Sequence, residues 1–192
     1  IGLYSSTIAL SPDHNTGFTV LVAGDNSHAM TTTIAEVVAD IMLPALDEVA
    51  KGQALERFGG TYALTSGSSN FSITITADDG PGLVVSAWTS SSVDMIESLM
   101  TLQGVTDRSA MSIRLQPSGL ETPGRISFLA VIYTLDVSED AGPLVGSCLS
   151  WMLLDSMVYG NIGLPEFEFA LEHDGDATSL SIRALRVTLA RV

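Results

Sequence analysis

The chain has 192 residues, enough for one good core or for one domain plus a fragment of another. It carries 8 Lys+Arg against 22 Asp+Glu, a formal net charge of −14, and its 46% apolar content beside 16% charged residues excludes intrinsic disorder. The same balance argues against nucleic acid or an anionic membrane surface as partner, since either needs clustered cations and the chain has a single lysine, Lys51.

No stretch is expected to match the roughly 20 apolar residues of a membrane span. The lone Cys148 closes no disulfide within the chain, so it is either buried and inert or paired with a cysteine outside it. The chain opens at Ile1 inside a strand-like pattern with no visible signal peptide, which suggests a processed chain or a piece of a longer one.

Residues 2–10 and 17–23 read as two strands joined through the turn-rich Ser11-Pro12-Asp13-His14-Asn15-Thr16, a hairpin. Phe18–Ala23 is apolar at nearly every position, the pattern of a strand covered on both faces. Gly24-Asp25-Asn26-Ser27 supplies breaker and cap chemistry for a long helix over about 29–56. In it Ile34, Val37, Val38, Ile41, Met42, Ala45, Leu46 and Val49 form one stripe, and Pro44 predicts a kink or a break.

From Phe58-Gly59-Gly60 onward the period changes to two. Strands are predicted at 61–64, 70–77, 82–89, 111–116, 125–135, 147–154, 166–172, 178–184 and 186–192. One short helix is predicted at 93–102 with a serine N-cap, and turns at Asp78–Gly82, Pro117-Ser118-Gly119, Thr122-Pro123-Gly124 and His173–Asp176. The fold class is therefore α+β: a hairpin and long helix over 1–57, then a mainly antiparallel β-barrel or sandwich, lipocalin-like, over 58–192.

The front piece does not make a domain, because two strands are marginal alone. At about 1.5–3 kcal/mol per apolar side chain, leaving its helix stripe and second strand wet forfeits on the order of 15–30 kcal/mol. Some other body must cover them.

Ile1-Gly2-Leu3-Tyr4-Ser5-Ser6-Thr7-Ile8-Ala9-Leu10-Ser11-Pro12-Asp13, followed by Gly17-Phe18-Thr19-Val20-Leu21-Val22-Ala23-Gly24, resembles the last strand pair of serine β-lactamase and penicillin-binding-protein-like hydrolases. The helix after it resembles their C-terminal helix. Phe58–Tyr62, Asp79–Leu83, Asp140–Pro143 with Cys148–Trp151, Asp155–Gly160 and Arg183–Val187 resemble segments of fungal β-lactamase-related proteins that carry an extra C-terminal β-rich domain. The resemblance implies acyl transfer by a Ser of S-x-x-K, a Y-x-N tyrosine and a K-T-G-like strand motif. Here S-x-x-K fails, since Glu48 stands three residues before Lys51, and K-T-G is absent. Tyr159-Gly160-Asn161 spells Y-x-N, but after the hairpin rather than before it. No catalytic residue carries over, and the partner that the resemblance implies is an upstream β-lactamase-like catalytic domain. At most, Ile1–Gly2 would extend the substrate-lining strand.

His14, His28 and His173 read as solvated surface groups, and no serine has a clear base partner. Glu172-His173-Asp174-Gly175-Asp176 lacks the spacing of a calcium loop and reads as an acidic turn, as does Asp78-Asp79-Gly80; no metal or other cofactor is expected. Trp88, Trp151, Tyr133 and Tyr159 either line a ligand cavity in a barrel or pack the core or an interdomain contact. Asn70-Phe71-Ser72 is an N-glycosylation sequon and, with the low pI of about 4.2, points toward secretion. Against the reading as the C-terminal part of a hydrolase stands a free-standing lipocalin-like binder of a small apolar molecule. Least favoured is hydrolysis by this chain alone through an unrecognised serine.

Overall fold

A computed structural model describes residues 2–66, 69–80, 82–134 and 154–192. The chain divides into two compact units, Ile1–Gln53 and Ala54–Val192.

In the first unit, β1 (Tyr4–Ser11) and β2 (Thr16–Ala23) pair antiparallel, from Tyr4 opposite Ala23 to Ser11 opposite Thr16. A 3-10 turn, Pro12–His14, joins them, and Asn15 closes it at φ +48°, donating its backbone N–H to the Pro12 carbonyl at 3.0 Å. The helix α1 (Ser27–Phe58) follows. Contacts fix how it lies on the hairpin: the Ser5 and Ser27 hydroxyls are 3.0 Å apart, and His14 Nε2 lies 3.1 Å from Asp47 Oδ1. Roughly 30 Å of helix separates Ser27 from Asp47. From Ser5 to Ser11 β1 spans about 20 Å, and the 3-10 turn to His14 adds about 6 Å. Helix and hairpin therefore run alongside each other over their shared length.

That arrangement buries one face only. Strand side chains alternate, so Ser5, Thr7, Ala9, Phe18, Val20 and Val22 are covered, while Tyr4, Ile8, Leu10 and Leu21 are exposed on the other face. The expected single helix stripe splits in two. Thr31, Ala35, Val38, Met42 and Leu46 are shielded, but Met30, Ile34, Val37, Ile41 and Val49 lie exposed.

Two expectations for α1 need correction. Of the kink or break expected at Pro44, the break does not occur: α1 runs through this exposed position, where the proline removes one hydrogen bond to the Asp40 carbonyl. By length and composition α1 is also long and apolar enough to cross a membrane, with an 18-residue window of hydropathy 1.4. The apolar residues are interspersed rather than consecutive, which hid this in the sequence. Glu36 and Asp40 lie among them, and mid-span carboxylates are costly in lipid.

In the second unit, β3 (Gly60–Ser66), β4 (Ser69–Thr76) and β5 (Leu83–Ser90) form a meander, and β5 turns into a short β6 (Val93–Asp94). After α2 (Met95–Gln103) come β7 (Met111–Thr122) and β8 (Arg125–Thr134). A small hairpin, β9 (Val158–Tyr159) and β10 (Ile162–Gly163), precedes β11 (Glu166–Leu171), β12 (Ala177–Ile182) and β13 (Val187–Arg191).

Among the described residues, eight strands close a barrel in the order β3, β4, β5, β7, β8, β11, β12, β13 and back to β3, every pair antiparallel. Closure removes the open sheet edges that a sandwich would keep. Two seams are short: β5 meets β7 through Leu83–Leu115 and Val84–Arg114, and β13 meets β3 through Ala190–Ala63 and Arg191–Tyr62.

Local chemistry departs from the sequence reading in three places. The cap of α2 is Asp94 rather than a serine, its Oδ1 accepting from the Ile96 and Glu97 N–H groups at 2.8 and 3.1 Å. Pro117-Ser118-Gly119 does not end β7. It forms a bulge there, in which Ser118 Oγ donates to the Ser127 carbonyl and accepts from the Leu120 N–H, and the strand resumes at Glu121. The strand expected over 178–184 stops at Ile182 and passes into a 3-10 turn, Arg183–Leu185. The strand expected over 147–154 lies outside the described residues up to 153, and Leu154 begins a 3-10 turn. Cys148, Trp151 and the Asp140–Pro143 segment also lie outside them.

Candidate functional site

Among the described residues, side chains pack the barrel interior, where a binding site would otherwise lie. Tyr62, Ile73, Ile75, Leu115, Phe167, Phe169 and Leu180 are fully buried. Phe169 sits edge-on to Tyr62 and Phe128 and tilted against Phe58, with ring centroids 5.1–5.6 Å apart, and Trp88 packs edge-on against Phe167 at 5.5 Å. Among the described residues, one small void lined by Trp88, Leu99, Ile113, Ile132 and Met157 measures about 10 Å³, space for a single water. Trp88 is thus a core residue, whereas Tyr159 is exposed.

Arg191 and Tyr62 tie the last turn of α1 to the barrel. Arg191, on the last strand, donates to the carbonyls of Glu56 (2.9 Å), Gly59 (2.6 Å), Arg57 (3.3 Å) and Ala177 (3.3 Å). These include helix-end carbonyls that have no partner within the helix. The Tyr62 hydroxyl donates to the Phe58 carbonyl at 2.8 Å. Burial pushes the Tyr62 phenol up to about 12, against the opposing pull of Arg191.

None of the motifs weighed for catalysis forms a reactive centre. Lys51 Nζ lies 3.6 Å from Glu48 Oε2, an ion pair one turn apart on α1. Tyr159-Gly160-Asn161 belongs to the β9–β10 hairpin, whose two turn residues, Gly160 and Asn161, stand at φ +59° and +63°. That geometry explains the Gly-Asn pair by turn chemistry alone. His28 and His173 are exposed. Glu172–Asp176 closes on itself, Glu172 N–H donating to the Asp176 carbonyl, and Gly175 adopts φ +95°. Asp78 forms a two-pronged pair with Arg114 at 2.8 and 2.9 Å. Among the described residues no three metal-binding side chains gather.

His14 corrects two expectations. It is not a solvated group, its side chain being only 17% exposed, and Ser11 does have a histidine partner. Ser11 Oγ lies 2.8 Å from His14 Nδ1, and His14 Nε2 faces Asp47. The first contact is local, since a 3-10 turn brings residues three apart together. The second fastens the hairpin tip to α1.

A further candidate is a surface. The open face of the hairpin presents Tyr4 (80% exposed), Ile8, Leu10 (77%) and Leu21 (77%), and a shallow hollow of about 370 Å³ lies among Tyr4, Ser6, Leu21 and Ala23. The outer stripe of α1 continues the apolar character. Nothing in the sequence separated this face from the covered one, because both are apolar and only the strand register assigns them. The sequon residue Asn70 lies exposed at the start of β4.

A family model described as "Beta-lactamase-like-like, C-terminal domain" matches residues 50–192, the end of α1 and the whole of the barrel unit. No curated protein and no solved structure matches the chain.

Proposed function

Because the chain belongs to the beta-lactamase-like-like C-terminal domain family, we propose that it is the C-terminal portion of a serine β-lactamase-like hydrolase. In this reading the first unit completes the sheet-and-helix body of an upstream catalytic domain, and the barrel is its accessory domain. The upstream domain supplies the acyl-transfer chemistry on a β-lactam, ester or peptide bond, and this chain supplies support. We take the parent protein to be a secreted, fungal-type member of the group.

The observation that carries the reading is the bare hairpin. Tyr4, Ile8, Leu10 and Leu21 share one face of a two-stranded sheet whose other face is already covered. Isolated two-stranded sheets are marginal, and an apolar face of this kind marks an interaction surface. The packing of Tyr62, Phe167 and Phe169 works against a lipocalin-like ligand cavity inside the barrel formed by the described residues. Absence of S-x-x-K and K-T-G leaves the chain without the nucleophile that the family chemistry requires.

The test is complementation. The upstream domain of the same protein is produced with and without this chain, and turnover of a chromogenic β-lactam or ester is followed. Activity or thermal stability of the upstream domain should rise on addition of the chain, and Leu10→Lys with Leu21→Lys should abolish the gain. Full activity and stability of the upstream domain alone, with no binding of the chain, would refute the supporting role.

A further inference from the structure

We propose that Asn70 is an N-glycan acceptor, and that the barrel wall around it faces solvent. The sequon Asn70-Phe71-Ser72 occupies the start of β4, where residues two apart point the same way. The inward-facing Ile73 and Ile75 are buried in the core, and Phe71 packs against it from the same side. Asn70 and Ser72 therefore both point outward, and Asn70 is exposed. The acceptor amide and the hydroxyl that makes the triplet a sequon thus share one outer face, while the middle residue anchors the strand.

The surroundings suit a large neutral polar group. On this wall Ser72, Thr74 and Thr61 are followed across β5 by Ser86 and Thr89, hydroxyl side chains without charge. Thr61 and Thr74 hydroxyls pair at 3.2 Å, and Ser86 Oγ donates to the Thr74 carbonyl. The wall formed by β8 and β11 differs, bearing the Arg125–Glu168 pair, with Arg183–Glu166 beside it. The nearest charges on the β5 side form one pair: Asp94, opposite Thr89, lies 3.8 Å from Arg108, which also donates to the Ser86 carbonyl.

In the modification, the Asn70 amide nitrogen attacks the anomeric carbon of a polyprenyl-diphosphate-linked oligosaccharide. The new C–N bond replaces the C–O bond to the diphosphate, which departs with the bonding pair, and the amide gives up one proton to the transferase base. The glycan is bulky and hydrophilic, so the face that carries it stays in water. Its occurrence in the native cell rests on the secretory reading above, but the geometry of the acceptor does not.

To separate the two, the full-length protein is expressed in a eukaryotic host behind a foreign secretory leader, and in parallel behind its own N-terminus. Peptide mass spectrometry follows treatment with an amidase that converts glycosylated Asn to Asp. With the foreign leader, Asn70 should be converted, Ser72→Ala should abolish conversion and Ser72→Thr should retain it. A secreted, folded protein with unconverted Asn70 overturns the inference. Conversion with the foreign leader but none, and no secretion, with the native N-terminus keeps the acceptor site and overturns the secretory reading alone.

Discussion

The two units solve the same problem differently. The barrel unit, Ala54–Val192, closes its sheet, fills the interior with aromatic and branched side chains and holds its own helical turn, residues 54–58, through Phe58, Tyr62 and Arg191. The first unit, Ile1–Gln53, leaves more than half of its large apolar side chains outside: one face of β1 and β2 and one stripe of α1. Both sequences are rich in apolar residues, so composition does not distinguish them. What distinguishes them is closure. A closed sheet has an inside, and an open hairpin has two faces of which one helix covers one.

The sharpest way to probe the contrast is to truncate matched side chains in each unit. Phe169→Ala removes a fully buried ring that touches Phe58, Tyr62 and Phe128, and should cost about 3–5 kcal/mol in denaturant unfolding of the barrel. Ile41→Ser, on the outer stripe of α1, should change the stability of this chain alone by no more than about 0.5 kcal/mol. In the full-length protein the same Ile41→Ser should cost about 2 kcal/mol or more if another body covers that stripe. Equal effects in the two settings would erase the difference between the units.

Arg191→Met comes next. It preserves much of the volume but leaves the carbonyls of Glu56, Gly59 and Ala177 without their charged donor, and should cost about 2 kcal/mol. Its signature is local, with faster amide exchange in the last turn of α1 before any change in the barrel strands.

Tyr62 gives the barrel a pH signature. Its phenol, near 10 when unfolded, is raised to about 12 in the folded state by burial. The folded protein thus holds this proton more tightly than the unfolded chain. Its contribution is complete below pH 10 and is lost as pH rises toward 12. Alkaline unfolding should begin above pH 10, and Tyr62→Phe should flatten that slope while weakening the α1 end through loss of the Phe58 carbonyl bond. An unchanged slope in the variant would assign the alkaline transition elsewhere.

A modest gain in stability belongs to a turn. Ser91 and Ser92 stand at φ +50° and +68° between β5 and β6. Replacing them by Asn-Gly, the preferred pair for this conformation, should stabilise the barrel by about 1 kcal/mol.

Much of the barrel was legible because its strands alternate. Phe71-Ser72-Ile73-Thr74-Ile75-Thr76 and the Phe167–Phe169 run announce their inward faces directly. Pro117-Ser118-Gly119 misled because bulge and turn use the same residues, and only the pairing of Glu121 with Ile126 reveals that the strand resumes. The Arg191 clamp was out of reach, since its carbonyl partners on α1 lie some 130 residues away and Arg191 has no local pattern. The Ser11–His14–Asp47 chain was half legible: the three-residue spacing was visible, but the helix partner depends on how α1 lies along the hairpin. Which face of the hairpin is bare followed from register, not composition.

Amide hydrogen exchange of β1 and β2, in this chain alone and in the full-length protein, tests the central claim most directly. The hairpin should exchange fast in the isolated chain, far faster than β4, β7 or β11, and should become protected in the full-length protein. Strong hairpin protection in the isolated chain, unchanged in the longer protein, would show that the first unit needs no other body and would contradict the account.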